Sequence, residues 1–363
     1  MNIYLVDYLG EHCGMHYYLD AFKKNLSVIP STEVIILSNY PIDGQQAFFL
    51  NQYKGSLIQK IKSLFINYYR FFRFVSLHKK DIVIFLTYGN FVDILFLNLV
   101  SKVYKHVIDI HEVIAQHLDN NMFLLKQFKR VYSNSVRNVI VHSKRSADFL
   151  NDFGFSNNKF YVPHFKYCFN RNYKLDDIAM DVRNAVVLGK INLLFFGNIT
   201  YSKGVDVLIE SINALESDIV RKINVIIAGK DLDGTIHKTH FNDDISYNLI
   251  LRHIEDDELI YLYQNIQYVI LPYRKTSQSG VLEMSFYFKK PIIASNIPYF
   301  NQVLTEFPSF GILSSVDYGI SLKEAIRNYS NREYYVKKDY DKYTHRREVE
   351  DFMNKFDKWI NRE

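Results

Sequence analysis

Short apolar runs alternate with amphipathic stretches along almost the whole chain, and that alternation leaves few folds open. Ile3–Val6, Glu33–Ser38, Ile82–Thr87, His106–Ile110, Asn138–His142 and Lys159–Val162 read as strands. Between them Met15–Asn25, Leu57–Leu77, Phe91–Val103, Phe123–Ser135 and Arg145–Asp152 carry helical spacing. Strands parted by helices cannot pair as tight hairpins; they form a parallel sheet wrapped by helices. The pattern lapses in the polar tract 163–190 and then resumes. Strands are expected at Ile191–Phe196, Ile223–Ala228, Tyr247–Leu251, Tyr268–Leu271 and Pro291–Ser295, with helices at Val205–Leu215 and Asp257–Gln264. Two Rossmann-like α/β domains with a cleft between them follow, and 363 residues suit two domains. The expected division is an N-terminal domain over 1–170, a linker over 171–190, a C-terminal domain over 191–345 and a terminal helix over 346–363, where Val349, Phe352, Phe356 and Ile360 align. Open parallel sheets bind ligands beyond the carboxyl ends of their strands, so the cleft is the expected site.

Composition narrows the function classes. A hydrophobic content of 48% with 23% charged residues describes a globular chain. The formal charge of +5 is too mild to argue for nucleic acid, and no nucleic-acid partner is expected. Cys13 and Cys168 make neither a disulfide framework nor a metal knuckle, which fits a reducing, cytoplasmic compartment. The opening MNIYLVDYLG lacks a basic leader and reads as a first strand. The most apolar window, Asp81–Val100, is broken by Gly89, Asn90, Asp93 and Asn98, so any membrane contact is expected to be peripheral. Between Asn51 and Lys80 there is no Asp or Glu, while Lys60, Lys62, Arg70 and Arg73 interleave with Leu57, Ile58, Phe65, Tyr69 and Phe72. That helix suits an anionic membrane surface, or equally a core-facing helix with a basic solvated side.

Three strand ends carry the candidate chemistry. After the strand YVILPY, the residues Ser277-Gln278-Ser279-Gly280 lead into a helix expected to begin near Ser279, whose free amides would hold an anion. The segment FFGNITYSKGVDVLIESI (Phe195–Ile212) repeats this plan with Lys203-Gly204 at the helix entrance, where a cation is misplaced unless an anion accompanies it. IDIHEV (Ile108–Val113) ends a strand with His111, able to donate to a developing charge or to serve as a structural histidine, and Gly14 in DYLGEHCGMH would let a ligand approach the backbone. No G-x-G-x-x-G and no P-loop motif occurs. The pairs His12/His16 and His237/His240 lack further ligands, His111-Glu112 is followed by Ala115 where a zinc motif needs His, and no metal site is expected. Asp231-Leu232-Asp233 reads as a polar turn before Gly234.

These residues carry a resemblance. The chain is similar to the GT-B fold glycosyltransferases, in particular to the retaining family 4 (glycosyltransferase group 1). FFGNITYSKGVDVLIESI resembles that family's strand, loop and Lys-Gly segment, NLILRHIEDDELIYLYQNIQYVILPYR (Asn248–Arg274) the segment that follows, and SGVLEMSFYFKKPIIASNIP (Ser279–Pro298) its donor-binding helix and next strand. The resemblance implies a GT-B fold whose terminal helix packs back on the N-terminal domain. It places Lys203 on the donor phosphates, Glu283 on the ribose, the amides of Ser279, Gly280 and Val281 on the pyrophosphate, His253 and Ile254 near the base, and His111 near the donor sugar. Three departures stand out: Lys275 occupies the place of the family's first acid, Asn198 that of a usual Arg, and Arg252 that of a usual Gly.

The implied activity is sugar transfer from a nucleotide-diphosphate donor, UDP or GDP, to a hydroxyl of a glycan or lipid-linked acceptor in cell-surface polysaccharide synthesis, with anomeric configuration retained. No cofactor beyond that co-substrate and no metal is expected, and the basic aromatic helix would meet the acceptor at the inner membrane face. A nucleotide-sugar epimerase of the same plan and a non-catalytic glycosyltransferase-like or glycan-binding partner are the competing readings. The first lacks an evident acid and base pair; the second draws on Lys275 and Asn198.

Overall fold

The computed structural model describes residues 2–10, 15–42, 44–52, 54–111, 122–152, 154–155, 158–165, 167, 169, 173–276, 278–314, 318–344 and 347–361. The chain divides into two compact units, residues 1–167 with 346–363, and residues 168–345. The first contains β1 (Asn2–Asp7), α1 (Met15–Leu26), β2 (Glu33–Ser38), α2 (Leu57–Leu77), β3 (Ile82–Thr87), α3 (Phe91–Val100), β4 (Lys105–Ile110), α4 (Met122–Ser135), β5 (Asn138–Val141), α5 (Lys144–Asp152) and β6 (Asn158–Tyr161). Its six strands pair in parallel in the order β2-β1-β3-β4-β5-β6. Every residue of β3, IVIFLT, is buried, as expected for a strand covered by helices on both faces.

The second unit contains α6 (Met180–Ala185), β7 (Ile191–Phe196), α7 (Val205–Asn213), α8 (Ser217–Val220), β8 (Ile223–Ala228), α9 (Thr235–Lys238), β9 (Tyr247–Ile250), α10 (Asp256–Asn265), β10 (Tyr268–Leu271), α11 (Gly280–Tyr287), β11 (Ile292–Ala294), α12 (Pro298–Glu306), β12 (Gly311–Leu313), α13 (Tyr318–Arg327) and α14 (Tyr329–Thr344). Its parallel sheet runs β12-β11-β10-β7-β8-β9, the doubly wound order of dinucleotide-binding folds. The last helix, α15 (Arg347–Ile360), belongs to the first unit. Phe352 and Phe356 stack edge-on against Phe160 of β6 at 6.2 and 5.6 Å, Trp359 joins them at 5.7 Å, and Lys105 donates to the Ile360 carbonyl at the helix C-terminus, 2.6 Å away.

The expected linker is not one. Its described residues, 173–190, fold with the second unit: Ile178, Val182 and Ala185 are buried, and Asn224 donates to the Ala185 carbonyl at 2.8 Å. Apolar residues spaced four and three apart were hidden among the polar residues of that tract. Among the described residues no helix is long and apolar enough to cross a membrane.

Candidate functional site

In the second sheet the strand order reverses between β7 and β10, and the loops leaving those two strands lie side by side. Arg274 N–H donates to the Ser202 carbonyl at 2.9 Å, and the Arg274 guanidinium grips both carboxylate oxygens of Asp206 at 2.8 Å. The Asp206 carboxyl is held below its usual range: burial opposes ionisation, but the hydrogen bonds and charge of Arg274 outweigh it. Gly204 is left-handed at φ +69°, and a Cβ there would stand 2.0 Å from the Pro272 carbonyl oxygen, so only glycine lets the two loops close on each other. The start of α11 joins the same place, since a Cβ on Gly197, just after β7, would sit 3.6 Å from Val281.

This arrangement leaves one cation and two amides for a ligand. Lys203 ends the single 3-10 turn Tyr201–Lys203, its ammonium 4.0 Å from the centre of the Tyr273 ring, and among the described residues no carboxylate lies within ion-pair distance of it. Arg274, by contrast, is consumed by Asp206. Ser279 caps α11, its side chain accepting from Leu282 N–H at 3.3 Å, while the N–H groups of Gly280 and Val281 donate to no described group. The buried Tyr273 hydroxyl beside Lys203 also has no hydrogen-bond partner among the described residues. A cation, a helix N-terminus and an orphan hydroxyl thus lie on the loops of one topological switch point, and each is a group of the kind that binds anions.

The other expected donor residues are placed less uniformly. Asn198 is exposed in the loop after β7, and Lys275 is exposed in the loop before α11. His253 is exposed and Ile254 buried after β9; the loop is clamped by Arg252, which donates to the His253 carbonyl at 2.9 Å and to both Glu258 oxygens at 2.7 Å, with Asp181 on its far side. That clamp explains an arginine where glycine is usual in the resembled family. Glu283 lies on the buried face of α11, 3% exposed, and its carboxylate accepts from the Tyr343 hydroxyl of α14, so it ties the two helices together. Asp231 and Asp233 spend their oxygens on the backbone N–H groups of Gly234, Thr235, Ile236 and Tyr201. An open groove of about 880 Å³ beside α7, lined by Tyr201, Asp206, Glu210, Asp233 and Lys238 among others, contains none of the expected donor residues.

The first sheet reverses between β1 and β3. Asp7, buried at the end of β1, accepts from Leu9 and Gly10 N–H at 3.2 and 2.8 Å and from the hydroxyls of Tyr40 and Tyr88. Asp93, capping α3, accepts from the Tyr8 hydroxyl at 2.6 Å and from Tyr88 N–H at 2.9 Å. Burial pushes the Asp7 carboxyl up and drives that of Asp93 up to about 6, in each case against the hydrogen bonds it accepts. Gly14 lies outside the described residues.

His111, directly after β4, is 4% exposed and packs against Tyr18, His142 and His164, with ring centres 4.4, 4.6 and 5.5 Å away. Desolvation holds its imidazole below the usual range, although Asp109 pulls the other way. Sequence reasoning missed His142 and His164; the available signal was that each, like His111, follows the end of a strand.

On α2 the sides are reversed relative to a core-facing helix. Ile58, Ile61, Phe65, Tyr69 and Phe72 recur at three- and four-residue steps and are all exposed, with Phe65 at 71%. Lys62, Arg70 and Arg73 are exposed with them, and Lys60 is half-buried. The inward face carries Phe71, Phe74, Val75 and Asn67, whose amide clamps both backbone groups of Leu50 at 2.8 Å.

Residues 190–329 match the family described as glycosyl transferases group 1. Solved structures align with the chain over nearly its whole length. Sucrose-phosphate synthase from Thermosynechococcus elongatus covers 97% of this chain and 95% of its own at 13% identity, with a TM-score of 0.67. WaaG, a glycosyltransferase involved in lipopolysaccharide biosynthesis, covers 99% and 100% at 13% identity and 0.68. Anabaena HepE, solved with UDP and glucose, covers 99% of each chain at 13% identity and 0.67. No curated protein matches in sequence. The protein therefore has the GT-B fold, and its second unit carries the glycosyl transferases group 1 region.

Proposed function

We propose that the protein is a retaining glycosyltransferase that moves a sugar from a nucleotide-diphosphate donor to a hydroxyl of a glycan or lipid-linked acceptor, in cell-surface polysaccharide synthesis. The observation that carries this reading is the switch point of the second unit, whose loops carry Lys203, on the Tyr273 ring, and the undonated amides of Gly280 and Val281, while Asp206 is taken up by Arg274. HepE, a structural neighbour, was solved with UDP-glucose, which supports a nucleotide sugar as the donor. In the reaction the bond from the anomeric carbon to the β-phosphate oxygen breaks, its electron pair leaving with the diphosphate. The acceptor oxygen bonds to the anomeric carbon on the face the diphosphate leaves, which retains the configuration, and its proton passes to the departing diphosphate oxygen. Negative charge thus grows on the diphosphate as the bond breaks, and Lys203 with the α11 amides meets it in fixed positions. This scheme assigns the work of charge stabilisation to the chain and not to a metal ion.

The exposed stripe of α2 supports an acceptor that arrives on a membrane. A helix presenting isoleucines and aromatic rings to solvent, flanked by Lys62, Arg70 and Arg73, fits an anionic lipid surface, with binding peripheral at its inner face. Incubation with a panel of UDP- and GDP-sugars, followed by release of free nucleotide, tests the activity; slow hydrolysis of at least one donor is expected. Absence of both nucleotide binding and hydrolysis across the panel favours the non-catalytic reading. Sedimentation with vesicles containing anionic lipid at low salt is expected to carry the protein down, and replacing Lys60, Lys62, Arg70 and Arg73 together by Gln to abolish it; equal binding by that variant removes the basis for the membrane reading.

A further inference from the structure

Three imidazoles converge inside the first unit. His111 follows β4, His142 follows β5 and His164 follows β6 by three residues, so all three leave the same end of three neighbouring parallel strands. They are 4%, 6% and 6% exposed, and one ligand atom from each lies within 4.8 Å of the others. Asp109, fully buried on β4, adds a carboxylate oxygen 2.8 Å from His142 Nε2 and 3.4 Å from His111 Nε2.

The hydrogen bonds of this cluster leave a place for one positive charge, either a second proton on His142 or a metal ion. His142 Nδ1 faces the Val162 carbonyl at 2.9 Å, an acceptor, so that nitrogen carries a proton, and whenever the ring is neutral Nε2 holds a lone pair. The lone pair then faces Asp109 Oδ1, a second acceptor. His111 is stranger still: buried, with neither ring nitrogen making a hydrogen bond among the described residues. A tetrahedral zinc ion with bonds of about 2.0–2.1 Å places its ligand atoms about 3.3 Å apart and the centres of its imidazole rings about 5 Å apart. The ring separations of 4.6, 5.0 and 5.5 Å bracket the second figure, and the three ligand atoms, within 4.8 Å of one another, would draw in to reach the first on binding the ion. An outer contact of the kind that orients metal ligands is also in place, from Val162 to His142, and the Tyr18 hydroxyl donates to Asp109 Oδ2 at 2.7 Å.

We propose that His111, His142 and His164 form a zinc site that staples the ends of β4, β5 and β6, with Asp109 as a buried countercharge beside His111 and His142. Three imidazoles suit zinc; magnesium and calcium prefer all-oxygen shells. The burial of all three histidines fits a structural role, and it gives His111 the role of a ligand in place of a donor to the sugar.

The test uses the full chain without a polyhistidine tag, freed of metal by chelator and re-equilibrated with zinc chloride. One equivalent of zinc retained through gel filtration is expected, together with the intense visible bands of four-coordinate cobalt when cobalt(II) chloride replaces zinc. His142→Ala and His164→Ala are each expected to weaken zinc binding by about tenfold or more. EDTA should lower the Tm of the wild type and leave that of the variants unmoved. Two results overturn the site: no stoichiometric zinc with no tetrahedral cobalt spectrum in the wild type, or undiminished zinc in His142→Ala/His164→Ala. Should the variants fail to fold, the cobalt spectrum and the EDTA shift of the wild type decide the matter.

Discussion

Both units are parallel sheets with a single reversal of strand order, yet the two reversals have opposite electrical character. In the first unit the loops leaving β1 and β3 bury two carboxylates, Asp7 and Asp93, and surround them with Tyr8, Tyr40 and Tyr88. In the second the loops leaving β7 and β10 pair off their one carboxylate, Asp206, with Arg274 and leave Lys203 and two helix amides over. An approaching diphosphate meets acid in one place and positive potential in the other. The shared topology therefore offers two crevices, and local side chains decide which one accepts an anion.

The largest effect expected from breaking this contrast comes from Lys203→Ala. Removing a fixed charge from the departing diphosphate should lower kcat/KM by about a hundredfold, the scale of losing one oxyanion donor. Lys203→Arg should recover part of it. Initial-rate measurement of nucleotide release checks this, and a fully active alanine variant sinks the phosphate assignment.

Gly204→Ala tests whether the two loops act as a unit. The added methyl meets the Pro272 carbonyl and sits on a left-handed backbone, which costs about 1–3 kcal/mol. Because Lys203 stays in the chain, a loss of nucleotide affinity by calorimetry alongside a lowered Tm would show that the lysine works only while the loop is pressed against β10. Unchanged affinity would show that the loops act independently.

The contrast also separates what was legible in the sequence from what was not. The apolar runs marked the strands, and the Ser279-Gly280 helix start and the Lys203-Gly204 turn stand where periodicity placed them, because local spacing and cap chemistry determine both. The partner of Glu283 was not legible for the opposite reason: its position in the first turn of α11 is local, but the Tyr343 it bonds lies sixty residues on in the sequence. The same holds for the histidines. Nothing in the spacing of His111, His142 and His164 resembles a metal motif, since adjacent parallel strands bring them together. β12 escaped notice because three residues, Gly311–Leu313, are too few to show a period. The basic aromatic helix was legible as amphipathic, but only packing could say that its aromatic stripe faces out, since buried Phe71 and exposed Phe72 are neighbours in the sequence.

The smallest effect tests the acidic crevice through its pH dependence. With its carboxyl raised to about 6 from an ordinary value of 3.8, Asp93 binds its proton more tightly in the folded chain than in the unfolded one. Its contribution to stability is therefore complete below about 3.8 and is lost as pH rises through about 6, with a slope approaching about 1.4 kcal/mol per pH unit in between. Asp7 is shifted in the same sense, and His111, held low by burial, works against both where it titrates, so the wild-type curve alone is ambiguous. The difference between wild type and Asp93→Asn isolates the one group. Trp359, the single tryptophan, packs on Phe160 within the first unit and reports that unit's unfolding in urea by fluorescence. The stability of the wild type relative to Asp93→Asn should fall between pH 4 and pH 7. A difference that stays flat means that Asp93 ionises normally, in which case the first crevice is charged throughout this range and its contrast with the second is sharper than the burial of Asp93 implies.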